Sequence, residues 1–190
     1  MRLRAAHAVP AVLSAAAVLL LTAPEGRAAP SHLPRSAAAE HLPRVARCAE
    51  GALTLRAKAV PDAPSVIRVS VTNRGAACAV DRFPTVTFGD LDGAALPVPE
   101  TRGGAYRLAS GATAHADVRT IADPADPEAR RVDAVTVAAS ASQWGRTFTA
   151  ARLGTGADVR VWEPVTTWWQ PTAAAADRVP GAQPRTSSGE

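Results

Sequence analysis

The sequence predicts an all-β domain, an antiparallel sandwich of about seven or eight short strands, and three observations carry that prediction. Apolar residues through the middle of the chain recur with a period of two rather than 3.6. Turn-forming Gly, Pro, Asn and Asp separate these runs at intervals of about 8 to 15 residues. Two cysteines, Cys48 and Cys78, and no third offer one covalent staple to a core poor in aromatics.

The strands follow in order. In Leu53 to Lys58, Leu53 and Leu55 face one way while Thr54, Arg56 and Lys58 face the other. Ile67, Val69 and Val71 alternate with Arg68, Ser70 and Thr72, and Asn73-Arg74-Gly75 supplies the turn. Thr85 to Phe88 places Val86 and Phe88 on one face, and Asp92-Gly93 is a hairpin signal returning the chain into Ala95 to Val98. From Ala112 to Thr120, Ala112, Ala114, Ala116 and Val118 point inward, whereas Thr113, His115, Asp117 and Arg119 point outward. Val135 and Val137, Phe148 and Ala150, and Val159 and Val161 complete the series. Helix is scarce, Pro124 to Arg131 being its best candidate, for a turn or two. An immunoglobulin-like topology is the favoured version, with a jelly roll or another Greek key as its competitor.

The ends set the address. Arg2 and Arg4 precede an apolar run from Ala8 to Ala23, followed by small residues around Ala28. The run is shorter than the ~20 residues that cross a bilayer, so residues 1–28 read as a secretory signal peptide cleaved after Ala28 rather than as a retained anchor. Residues 29–44 read as a flexible linker, 45–170 as the sandwich and 171–190 as a disordered tail. The mature chain is then secreted and carries no membrane span. Three of the 21 basic and one of the 17 acidic residues fall in residues 1–28, leaving the mature chain near +2. That balance gives no nucleic-acid signature, and the abundance of arginine over one lysine, Lys58, is read first as composition.

Export places the cysteines in an oxidising compartment, where a Cys48–Cys78 disulfide is their simplest use. A metal site would need partner ligands at the right spacing, and a catalytic thiol would need a base; neither is apparent beside these cysteines.

Arg47-Cys48, Leu53-Thr54-Leu55, VSVTNRGAACAVDRFPTVTF, YRLASGATAHADV and a closing strand before a Trp together resemble the domain-of-unknown-function 4232 family, secreted or lipid-anchored proteins of actinobacteria. The resemblance covers about Cys48 to Trp168, and its most specific part is Thr72-Asn73 with Cys78 and Phe83-Pro84. It implies an immunoglobulin-like sandwich with the two cysteines paired and no established activity. Arg82 stands where the family usually has Gly before the aromatic, and the later cysteine pair of many relatives is missing here.

The candidate sites are few. His115 and Asp117, two residues apart on one strand face, are the nearest approach to a general base, but no nucleophile is implied beside them. His32 and His41 fall in the linker. Asp90, Asp92 and Glu100 are sparse for a calcium loop, and Asp92-Gly93 is more simply a turn. Arg68, Arg82, Arg102 and Arg107 are candidates for a basic surface facing an anionic wall polymer. Trp144 precedes Gly145 in a turn, Trp162 lies in the last strand, and Trp168 and Trp169 follow. Since adjacent strand residues face opposite ways, at most one of Trp168 and Trp169 should be buried, and the pair is the expected contact for a partner.

These readings point to an exported, non-enzymatic module that binds a protein or glycan at the cell envelope or outside the cell, with no cofactor, catalytic residue or metal. A secreted hydrolase or metal-handling protein built around His115 and Asp117 is the alternative. A structural spacer without a ligand is a third possibility.

Overall fold

A computed structural model describes residues 45–100 and 103–181. The expected signal peptide and the whole of the expected linker lie outside the described residues, as do Arg102 and the last nine residues of the expected tail.

After a single 3-10 turn at Glu50–Ala52 come β1 (Leu53–Val60), β2 (Ala63–Asn73), β3 (Cys78–Asp81), β4 (Thr85–Phe88), β5 (Leu96–Pro97) and β6 (Ala105–Leu108). They are followed by β7 (Thr113–Arg119), β8 (Arg130–Val132), β9 (Ala134–Ala138) and β10 (Arg146–Thr149). Helix α1 (Ala150–Leu153), β11 (Val159–Val161), β12 (Val165–Thr166) and α2 (Ala173–Asp177) complete the described chain.

One sheet has the order β1-β2-β7-β12-β5 and a second the order β10-β9-β4; β11-β8 and β3-β6 form two-stranded ribbons. The two larger sheets share one core. Leu55, Ile67, Val69, Val71, Ala114, Ala116 and Val118 meet Val86, Phe88, Val135, Val137 and Phe148 in a single buried cluster. The result is an all-β antiparallel sandwich compatible with an immunoglobulin-like arrangement. Register explains the alternation: Val69 sits between Ala57 of β1 and Ala116 of β7, so the inward positions of all three strands stack.

Several expectations are corrected. The Asp92-Gly93 turn returns the chain to β4 at Ala95, whose N–H donates to the Val86 carbonyl, but no hairpin continues from there; β5 pairs parallel with β12 at the far edge of the larger sheet. Pro124 to Arg131 is not helical. The carboxylates of Asp123 and Asp126 accept from the N–H groups of Ala125 and Glu128, closing local turns, and Arg130 and Arg131 enter β8. Ala150 opens α1 instead of continuing a strand, and Trp162 follows β11 rather than lying in it.

The folded part also runs past the expected boundary at residue 170. Thr172 caps α2 by accepting from the Ala175 N–H, and Ala176 and Val179 are buried. The small alanines let α2 lie close over β7.

Candidate functional site

The largest exposed ring is Trp144, at 92% of its full accessibility, on the connection between β9 and β10. This connection is tied down from three sides. The carboxylate of Glu50 accepts from the Trp144 N–H at 3.2 Å and from the Gly145 N–H at 2.7 Å. Gln143 Nε2 donates to the carbonyl of Cys48 at 3.1 Å, beside the Cys48–Cys78 disulfide. The Ala141 N–H donates to Asp81 at 2.8 Å, and the Asp81 N–H donates to Ser140 Oγ at 2.9 Å. Gly145 adopts φ +76°, and a Cβ there would stand 2.4 Å from the carbonyl oxygen of Val137. The backbone is therefore set by glycine, by a carboxylate and by the cystine corner, and the indole projects from it.

The expected pair behaves differently. Trp169 is 2% exposed and belongs to the core, so it is unavailable to a partner. Trp168 is half-buried, with the Arg82 guanidinium 4.9 Å from its ring centre and the Phe83 ring 6.5 Å away at 53°. Its two neighbours use part of the surface that the sequence leaves open.

His115 and Asp117 do not lie on a free face. Asp117 is fully buried and forms a bidentate pair with Arg68, at 2.9 and 3.2 Å, directly across the β2–β7 register. Arg68 also reaches Asp177 of α2, and the Asp117 N–H donates to Thr167 Oγ1. The backbones of His115 and Gln170 exchange two hydrogen bonds. The segment after β12 thus crosses the outward side of the sheet. Burial raises the Asp117 carboxyl above its ordinary value, opposed by Arg68. Burial, then the Arg68 charge, lowers the His115 imidazole, opposed by Asp117. Asp117 directs its carboxylate at Arg68, an arrangement that fastens strands and does not orient an imidazole.

Of the arginines expected to form one basic surface, Arg68 is half-buried and paired with Asp117 and Asp177, Arg82 lies over the Trp168 ring, and Arg107 is exposed on β6. A cleft of about 600 Å3 is lined by Lys58, Ile121, Leu153, Asp158 and Arg160 among others, and neither His115 nor Asp117 reaches it. Asp90 and Asp92 stand exposed on the loop after β4, and no group of three or more His, Cys, Asp or Glu suited to a metal occurs among the described residues. The turn at Trp144 is legible in the sequence, but its prominence is not; the signals that mark it are Gly145 and the polar Gln143, whose partners Glu50 and Cys48 each lie 95 residues earlier in the chain.

A family model described as a domain of unknown function (DUF4232) matches residues 48–169. Neither the curated proteins nor the solved structures contain a match.

Proposed function

This chain belongs to the DUF4232 family, and from that premise we propose that it acts as an exported, non-enzymatic sandwich module that binds a protein or glycan at the cell envelope or outside the cell. The observation that carries the proposal is the Trp144 indole, held out on a braced connection. A rigid aromatic loses little conformational entropy on contact and offers a face to a sugar ring or an anchor to a protein pocket. The basic start and apolar run before Ala28 support export, as does the disulfide, a bond that persists in oxidising compartments. The rival hydrolase or metal-handling reading requires an accessible His115–Asp117 pair, whereas Asp117 is fully buried and engaged by Arg68.

The test is retention of the full chain on envelope fractions, with Trp144→Ala and Trp168→Ala made singly. Trp144→Ala should weaken retention by about tenfold or more, the effect of one aromatic anchor, and Trp168→Ala should leave it near the parent. A parent that is not retained, or a Trp144→Ala variant retained as well as the parent, overturns the proposal.

A further inference from the structure

Four cations from three elements converge on one groove. Arg56 and Lys58 come from β1, Arg146 from β10 and Arg152 from α1, and all four are exposed. The groove has a volume of about 520 Å3, and no carboxylate lines it. Its origin is topological: β1 and β10 are end strands of their sheets, and they border the open side of the sandwich. Strand alternation puts residues 56 and 58 on one side, about 7 Å apart. Arg146 extends over the Phe148 ring at 5.4 Å, and α1 continues directly from β10 to bring in Arg152.

Charged side chains on strand edges discourage unwanted pairing, and one or two suffice for that purpose. Four like charges repel each other, and this groove supplies no counter-charge of its own. Three arginines elsewhere are neutralised, Arg47 by Asp81, Arg68 by Asp117 and Asp177, and Arg131 by Asp158. None of the four groove cations has an ion pair among the described residues.

We propose that this groove binds an anionic glycan, whose phosphate or carboxylate groups lie along Arg56, Lys58, Arg146 and Arg152. The choice of a glycan rests on the reading of Trp144 as a sugar platform, since Trp144 stands only two residues before Arg146 on the same connection. The charge requirement stands on the groove itself. A near-neutral mature chain with four cations, unpaired among the described residues, along one groove suits a single narrow polyanion better than a broad charged surface.

The experiment titrates the full chain with poly(glycerol phosphate), with polygalacturonate and with neutral dextran, and includes single-stranded DNA as a competing polyanion. Binding to at least one anionic glycan is expected, with the phosphate or carboxylate arm identifying the anion. It should collapse in about 1 M salt, where the screening length falls to about 3 Å. Arg56→Glu with Arg152→Glu should weaken it by about tenfold or more, and the neutral pair Arg56→Gln with Arg152→Gln should give a smaller loss in the same direction. Both pairs lie at exposed positions, so unchanged circular dichroism is expected.

Charge variants that bind like the parent overturn the groove assignment, even if Trp144→Ala still abolishes envelope retention. Binding to dextran as tight as to the anionic glycans, or to DNA more tightly than to either, also overturns it. If the charge variants lose the anionic probe while Trp144→Ala keeps full envelope retention, the groove assignment is supported and the Trp144 reading fails.

Discussion

At Gly145 a single hydrogen atom in place of a side chain decides whether the Trp144 connection closes. Ala at this position would have to hold φ +76° and displace the Val137 carbonyl, which is main chain and gives little. Gly145→Ala is expected to cost about 1–3 kcal/mol, read as a lower denaturation midpoint. His115 shows how far burial changes an outward strand position. Its folded pKa is held below the ordinary 6.5, so the unfolded chain takes up the proton first as pH falls. The stability it contributes is present above about pH 6.5 and is lost as pH drops toward the depressed folded value. Asp117 has the opposite sign: its raised folded pKa makes its contribution decline as pH rises above 3.8. Thermal midpoints measured across pH should therefore fall below pH 6.5 in the parent and fall less in His115→Gln. An equal decline in both would show that another group carries the slope. Sequence alternation correctly turned His115 and Asp117 away from the core but said nothing of what covers them, because the covering residues, Thr167, Gln170 and Asp177, come 50 or more positions later.

Among the elements, those with a marked period were legible and those without one were not. Nearly all the inward residues read from β1, β2, β4, β7, β9 and β11 enter the core, Leu55, Val69, Phe88, Ala116, Val135 and Val161 among them, while Leu53 is partly buried against its edge. Those strands carry one apolar face each, so two-residue alternation reports them directly. Helix α2 has no such signal: Ala173–Asp177 is a short alanine run whose helical state depends on its Thr172 cap and on the sheet beneath it. Pro124 to Arg131 failed in the other direction, since local Asp-capped turns and the β8–β11 pairing prevailed over helix propensity. The cationic groove was equally invisible, because β1, β10 and α1 meet only through the sandwich. Ala176 is fully buried, and Ala176→Glu should lower stability by about 2 kcal/mol or more in chemical denaturation. A change within about 0.5 kcal/mol would mean that α2 contributes nothing to the global fold.

For the molecule as a whole, the one covalent link sits early. The disulfide joins residues separated by 30 positions, for which chain entropy gives a stabilisation of about 3.6 kcal/mol. Replacing both cysteines with serine should cost about 2–5 kcal/mol. It should also loosen Trp144, because Gln143 hangs on the Cys48 carbonyl, and quenching of the indole emission by acrylamide would report any change in the surroundings of the ring. The pairing itself was readable from the cysteine count and the expectation of export; the contribution of the corner to presenting a tryptophan was not, since it depends on contacts spanning 94 and 95 residues.

The second half of the domain closes without such a link. Its final crossing is held by hydrogen bonds to Asp117, 50 residues earlier, and by the Arg68–Asp177 pair, 109 residues apart. Contacts of that range carry a loop-closure cost that their own interactions must offset. The same crossing should be the first to release: amides of residues 173–177 should exchange with deuterium well before those of residues 67–71 in the central β2 strand. The domain would then open from its C-terminal end, leaving the cystine corner and its tryptophan standing after the covering segment has lifted.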